Sequence, residues 1–237
     1  MNQITPKQSI CLHDELKTSI ELIKLGLGEI QRISGSNQFY QLAFFLLSIG
    51  IERYLKGMIC VHHLAIYNTL PKHKDMKKLS HDIEKILDYV KMEIIENSSG
   101  LNKQAMKDDF HYINNDMFIL KMLRLISIFG QYARYHNLDI ITEAPNPPPD
   151  IEERWKRFEL EIIDSDPDIG ELSKFLSPDY YEKLSKFIVS RFEKFMRALS
   201  RHFTLSDMGA VGCEYSIHLH DFLLLRDDEL GANDYVG

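Results

Sequence analysis

Residues 42–57 read LAFFLLSIGIERYLKG, and the fold class follows from this stretch. From Leu42 to Ile51 the side chains are apolar apart from Ser48, and three charged residues come within the next five positions. A helix that is apolar nearly all round lies in the middle of a helical bundle. A membrane span needs about 20 apolar residues. The stretch therefore predicts a buried helix and no membrane partner.

Apolar residues recur at three- and four-residue intervals on both sides of this run, which is the spacing of amphipathic helices. The predicted helices cover residues 12–33, 38–68, 83–96, 103–135, 152–162 and 178–202. No pair of segments alternates as strands do. The sequence therefore predicts an all-α fold, an up-and-down helical bundle with a smaller C-terminal helical annex.

The proline-rich segment PNPPP at 145–149 divides the chain. Consecutive prolines favour an extended polyproline conformation and forbid a helix. We therefore expect a four-helix bundle over residues 10–143, a linker over 144–150 and a helical annex over 151–237. The annex is expected to pack on the bundle, because its long helix has a wide apolar face that needs cover.

The composition limits the class of protein. The 237 residues carry 28 Lys and Arg against 35 Asp and Glu, a formal net charge of −7. A protein that coats duplex DNA needs an excess of positive charge, because it must neutralise phosphates. Cys11, Cys60 and Cys213 lie far apart and form no disulfide framework. Since the amino terminus has no signal-peptide pattern, we expect a cytoplasmic protein.

Charged residues on the buried helix and in the loop after it form the first candidate site. Glu52 and Lys56 are an i, i+4 pair, and a charge in a largely buried helix is costly unless it is paired. A polar notch in the bundle could hold a ligand, and clustered lysines could meet phosphates. The candidate ligand-binding residues are Glu52, Lys56, Lys74, Lys77, Lys78 and His81. The alternative is a charged rim beside a solvated loop.

The second candidate site lies where the fourth predicted helix ends. Two tyrosines there flank an arginine, and polar residues follow. Arginine binds phosphate, histidine moves protons near neutral pH and tyrosines stack on bases. The candidate catalytic residues are Arg134, His136, Asn137 and Asp139. The alternative is simple helix termination, which favours basic residues and asparagine.

A basic stripe follows one side of the long helix predicted over 178–202. Its members are Lys183, Lys186, Arg191, Lys194, Arg197 and Arg201. The stripe predicts either a nucleic-acid surface, a solvated face or pairing with the acidic half of the same chain. The chain has no HExxH, CxxC, phosphate-binding glycine loop or nucleophile elbow, so we expect no metal and no cofactor.

Two segments resemble HEPN domains. LLSIGIERYLKG at 46–57 looks like the second helix of that superfamily, where a glutamate and a lysine occur in an E-x-x-L-K pattern. SHDIEKIL at 80–87 is similar to its H-D-L-x-K-L segment. The resemblance covers about residues 12–140. It implies a helical bundle that is commonly dimeric, in proteins that cleave RNA, bind RNA or nucleotides, or serve as assembly modules.

The catalytic signature of HEPN ribonucleases is an arginine followed after four to six residues by a histidine. Arg134 and His136 are only two positions apart. Arg197 and His202 match the spacing but lie outside the resembling region, and such residues diverge by roughly 140° on a continuous helix. The resemblance therefore leaves cleavage open. It predicts an RNA-binding protein and leaves open that this protein is an atypical or degenerate ribonuclease of a defence or stress system. The alternative is a non-enzymatic module for homodimerisation or protein docking.

Overall fold

The computed structural model describes residues 4–175 and 178–237. Within these ranges the chain is all-α and contains no strand. The helices are α1 (Pro6–Gln31), α2 (Tyr40–Tyr67), α3 (His73–Lys78), α4 (Ile83–Val90), α5 (Gln104–Asn115), α6 (Met117–Gln131), α7 (His136–Ile141), α8 (Ile151–Ser165), α9 (Pro167–Ser173), α10 (Pro178–Leu205), α11 (Gly209–Tyr215) and α12 (His220–Leu223). Single 3₁₀ turns span Ser99–Asn102, Ala133–Tyr135 and Ser216–His218, and a π turn spans Lys91–Ile95.

Helix α2 lies in the middle of the bundle, as its apolar run predicts. It packs along α1, and glycines allow the two backbones to approach closely. A Cβ atom at Gly50 would lie 3.0 Å from the backbone nitrogen of Ile23, and one at Gly26 would lie 2.7 Å from the side chain of Leu47. Substituting either glycine would push the two central helices apart.

Helix α10 is the second central helix. Its apolar face is buried through Phe192, Phe195, Leu199 and Phe203, which belong to the same core cluster as the buried residues of α1 and α2. A hydrogen bond of 2.9 Å joins the Tyr54 hydroxyl on α2 to the Ser200 hydroxyl on α10. Residues on both sides of the proline-rich segment thus contribute to one hydrophobic core.

The C-terminal segment after α12 is held by a buried carboxylate. Glu193, on α10, is fully buried and accepts hydrogen bonds from the Asn233 amide at 2.8 Å and the Tyr235 hydroxyl at 2.8 Å. The backbone N–H of Gly231 donates to the same carboxylate. Because three donors satisfy one buried acceptor group, the segment packs against α10 in a defined position.

Two local predictions were wrong. The helix predicted over 103–135 is divided at Asp116, whose backbone is extended and whose side chain accepts a hydrogen bond from the N–H of Ile119 at 2.9 Å. Asp116 therefore ends α5 and caps α6. The loop predicted after α2 contains the short helix α3, with Asp75 in its first turn and lysines in its last turn, a distribution that suits the helix dipole.

Candidate RNA-binding surface

Three of the predicted ligand-binding residues meet at the middle of α2. The ammonium group of Lys56 donates to Glu52 Oε1 at 2.8 Å and to the carbonyl oxygen of Ser80 at 2.5 Å. His81 Nδ1 donates to the same Glu52 carboxylate at 2.9 Å. The Glu52 side chain is only 13% exposed, so the Lys56 ammonium group and the His81 N–H donor offset the cost of burying its charge.

This cluster acts as a clamp on the turn between α3 and α4. Ser80 adopts a left-handed backbone with φ of 54°. Lys56 donates to the carbonyl oxygen of Ser80, and the next residue, His81, donates to Glu52, so α2 holds the turn through two consecutive residues. At the start of α4, the Asp82 side chain accepts from the Lys85 N–H at 3.1 Å. Glu52, Lys56 and His81 are thus engaged with one another, and their contacts fix the position of α3.

Helix α3 carries exposed lysines with few acidic partners. Lys72, Lys74, Lys77 and Lys78 are all exposed. Within the described part of the chain, only Lys78 forms an ion pair, at 2.9 Å from Asp75. The hydrogen bond from Lys78, with the charges of Lys74 and Lys72, lowers the pKa of Asp75. The surface of α3 is therefore locally positive although the whole chain is acidic.

Two exposed tyrosines border α3, and the sequence analysis did not identify them. Tyr67 ends α2 and is 60% exposed, and Tyr89 on α4 is 39% exposed. Burial raises the pKa of Tyr89, and the electrostatic influence of Glu93, Tyr67 and Asp75 adds to the rise. In the sequence, the only indication of this surface was that a tyrosine lies on each side of the lysine-rich loop.

The basic stripe of α10 is engaged by the chain itself. Lys183, Arg197 and Arg201 lie 3.4 Å, 2.6 Å and 2.9 Å from Asp168, Asp227 and Asp109 respectively. Lys194 lies over the ring of Tyr112, at 4.5 Å from its centroid, and Arg191 over that of Phe187, at 3.3 Å. Pairing within the chain, one of the three alternatives for this stripe, therefore accounts for most of it.

The predicted catalytic residues lie at the other end of α2. The Arg134 guanidinium lies over the Phe45 ring, at 5.8 Å from its centroid, and His136 Nδ1 donates to the carbonyl oxygen of Pro148 at 2.7 Å. His136 and Asn137 line a small cavity of about 60 Å³. Asp139 is not among the residues that line it.

The pair with the HEPN spacing does not form a site. Arg197 is 3% exposed and donates to the carbonyl oxygen of Leu225 at 3.0 Å as well as to Asp227. His202 is fully buried on the same continuous helix. The C-terminal segment covers Arg197, and a substrate cannot reach His202 without unfolding part of the core.

Tyr67 and the Arg134 end of the bundle are far apart. Phe45 and Tyr67 are separated by 22 positions of α2, which at 1.5 Å per residue is about 33 Å. The candidate catalytic residues thus lie near the start of α2 and Tyr67 at its end, while Lys56 and the Ser80 turn that follows α3 lie between them.

Comparison of the chain with protein-family models, with curated proteins and with solved structures finds no match in any of the three. The resemblance to HEPN domains therefore stays a prediction from the quoted segments. Over residues 4–175 and 178–237, no helix has the length and apolar character that a membrane crossing requires.

Proposed function

We propose that this protein binds single-stranded RNA through the α3 surface, defined as Tyr67, Lys72, Lys74, Lys77, Lys78 and Tyr89. The observation that carries the proposal is the contrast between two basic segments. The cations of α10 mostly contact acidic or aromatic residues of their own chain, whereas the lysines of α3 are exposed and only Lys78 among them has an acidic partner in the described residues.

The chemistry of the α3 surface favours unpaired RNA over duplex DNA. Lysines neutralise phosphates, and exposed tyrosine rings stack on bases that are free of a partner strand. The surface is small and the chain has a net charge of −7, so long-range attraction to a duplex is weak. The clamp formed by Glu52, Lys56 and His81 holds α3 in place, which reduces the ordering cost of binding.

The proposal is for binding without cleavage at this surface. Arg134 contacts Phe45, which lies about 33 Å from Tyr67 by the rise of α2, and Arg134 and His136 are each held by a different partner. The resemblance to HEPN domains supports the proposal, because that superfamily includes RNA-binding members that do not cleave.

The proposal predicts that three substitutions on α3 weaken RNA binding strongly. Fluorescence anisotropy with a labelled single-stranded RNA would compare the wild type with the Lys74→Gln, Lys77→Gln, Lys78→Gln triple variant at low salt. We expect at least a tenfold rise in Kd. The slope of log K against log salt should fall by about 2, because each phosphate contact on a single strand contributes about 0.7.

A matched triple variant controls for the change in net charge. Lys121, Lys156 and Lys174 are exposed and pair with Glu161, Glu152 and Glu171. Changing these three lysines to glutamine alters the net charge equally, and RNA affinity should change less than twofold. Equal losses of affinity in the two triple variants, or no binding by the wild type at low salt, would overturn the proposal.

A second candidate function is homodimerisation through the opposite end of the bundle. Large apolar side chains are exposed together where α2 begins and α6 passes into α7. They are Leu42, Phe45, Tyr132, Tyr135, Leu138 and Ile141. Grouped exposed apolar side chains rimmed by polar residues mark interaction sites, and a commonly dimeric fold is what the HEPN resemblance implies.

The dimer is tested by sedimentation equilibrium. The Tyr135→Glu, Leu138→Glu double variant should sediment as a monomer at concentrations where the wild type is a dimer, because two buried charges per subunit are costly at an interface. Ile217→Glu with Leu224→Glu changes two other exposed apolar residues and should leave the mass unchanged. A wild type that stays monomeric at high concentration contradicts this second function.

A further inference from the structure

Two histidines from opposite ends of the chain meet at the surface. His13 lies on α1 and His218 ends the 3₁₀ turn Ser216–His218. His13 Nδ1 is 3.0 Å from His218 Nε2. The two residues are 205 positions apart in the chain, so no local sequence pattern predicts this pair.

The surroundings of His13 fix its ring. The ring stacks on Tyr215, with 4.3 Å between centroids and 27° between planes, and the Tyr215 hydroxyl lies 3.1 Å from the Ser9 hydroxyl. The outer nitrogen, Nε2, lies 3.6 Å from Glu214 Oε1. With its proton on Nε2, on the side of this carboxylate, His13 keeps the Nδ1 lone pair free for a metal ion.

We propose that His13 Nδ1 and His218 Nε2 together bind a divalent transition-metal ion. Imidazole nitrogens bind such ions at about 2.0–2.1 Å. Two nitrogens 3.0 Å apart then subtend about 94° at the metal, which is the angle of adjacent positions in a square-planar or octahedral site. The geometry suits Cu²⁺ and Ni²⁺ better than a tetrahedral Zn²⁺ site.

The pair offers an open site with two protein ligands. Over residues 4–175 and 178–237, no three His, Cys, Asp or Glu side chains converge as metal ligands, so water would complete the coordination. Both rings are partly exposed. A neutral imidazole is the form that binds a metal.

Binding would link the two ends of the chain. Without a metal the two rings share one N–H···N hydrogen bond. When a metal binds, His218 gives up the proton on Nε2 to solvent and carries its proton on Nδ1 instead, so that two coordinate bonds join α1 and the C-terminal turn. Because the two histidines converge only in the folded chain, the metal should raise the melting temperature.

Isothermal titration of the untagged protein with CuCl₂ and, separately, NiCl₂ tests the site. The His13→Gln and His218→Gln variants should each bind at least tenfold more weakly than the wild type. His220→Gln, at an exposed position two residues from His218, is the matched control and should bind as the wild type does. Only the wild type and the control should show a metal-dependent rise in melting temperature.

Electron paramagnetic resonance of the Cu²⁺-loaded wild type supplies a readout that does not depend on affinity. The spectrum should contain the hyperfine signature of two imidazole nitrogens, and either single variant should reduce it to one. A wild type that binds no tighter than both single variants, or whose Cu²⁺ spectrum shows one imidazole or none, overturns the proposal.

Discussion

Replacing Trp155 with alanine is expected to lower the free energy of unfolding by about 3–5 kcal/mol, the range for deleting a large buried aromatic side chain. Trp155 on α8 is fully buried. Its ring centroid lies 4.9 Å from that of Phe44 on α2 and 5.5 Å from that of Phe158. The substitution removes these contacts and leaves a cavity where α8 meets the central helix.

A hydrogen bond adds to the effect of the Trp155 substitution. Its indole N–H donates to Glu159 Oε1 at 3.0 Å, and the Tyr40 hydroxyl donates to the same carboxyl group at 2.9 Å. Burial raises the pKa of Glu159 to about 7, while these two hydrogen bonds act in the opposite direction. Without the indole donor, the buried Glu159 carboxyl group has one hydrogen bond fewer to offset the cost of its burial.

Urea unfolding followed by circular dichroism measures the loss, because Trp155 is the sole tryptophan and its fluorescence disappears with the substitution. Trp155→Phe is the matched variant that keeps a smaller aromatic ring and removes the N–H donor, and it should cost less than Trp155→Ala. A loss below about 0.5 kcal/mol for Trp155→Ala, within the range of surface substitutions, would show that α8 does not pack as described.

The second large effect concerns His202 and is a dependence of stability on pH. Both ring nitrogens of His202 are buried and have no hydrogen-bond partner in the described part of the chain. Burial lowers the pKa of His202 from its ordinary value of 6.5 to about 4. The unfolded chain therefore binds this proton at higher pH than the folded chain, so stability is present above about pH 6.5 and falls as the pH decreases toward 4.

The His202→Leu variant isolates this effect. Between pH 7.5 and pH 5 the wild type should lose about 2 kcal/mol more unfolding free energy than the variant does. Groups that titrate in both proteins, Glu159 included, cancel in the difference. His73→Leu, at an exposed position of α3, controls for the loss of a solvated histidine. Parallel pH profiles for wild type and His202→Leu would show that the imidazole is accessible to protons in the folded state.

The central helices could be predicted because their signals are local. The apolar run of α2 required burial whatever the neighbours were, and α10 begins at Pro178, a residue suited to the first helical turn. The break at Asp116 was missed because the apolar period continues across it. The same sequence pattern is produced by an aspartate that caps a helix and by one that lies on its exposed face. The extended backbone of Asp116 shows that here it is a cap.

The site residues likewise fall into those that local spacing predicts and those that only the tertiary fold brings together. Glu52 and Lys56 were predicted as a pair from their spacing on one helix. His81 joins them only because the left-handed turn at Ser80 brings it back to α2. Arg197 was placed with the outward basic stripe, but the segment around Asp227, 30 positions later, covers it. Contacts between distant segments are set by the tertiary fold, which helical periodicity does not encode.

Photocrosslinking tests the proposed RNA-binding surface most directly. A single-stranded RNA that contains 4-thiouridine would be irradiated with the wild-type protein, and the crosslinked peptides would be identified by mass spectrometry. If RNA binds at the α3 surface, we expect crosslinks in the peptides that contain Tyr67 and Tyr89. Both crosslinks should be lost in the Lys74→Gln, Lys77→Gln, Lys78→Gln variant. Crosslinks confined to the peptides of Tyr132 and Tyr135, or to α10, would contradict it.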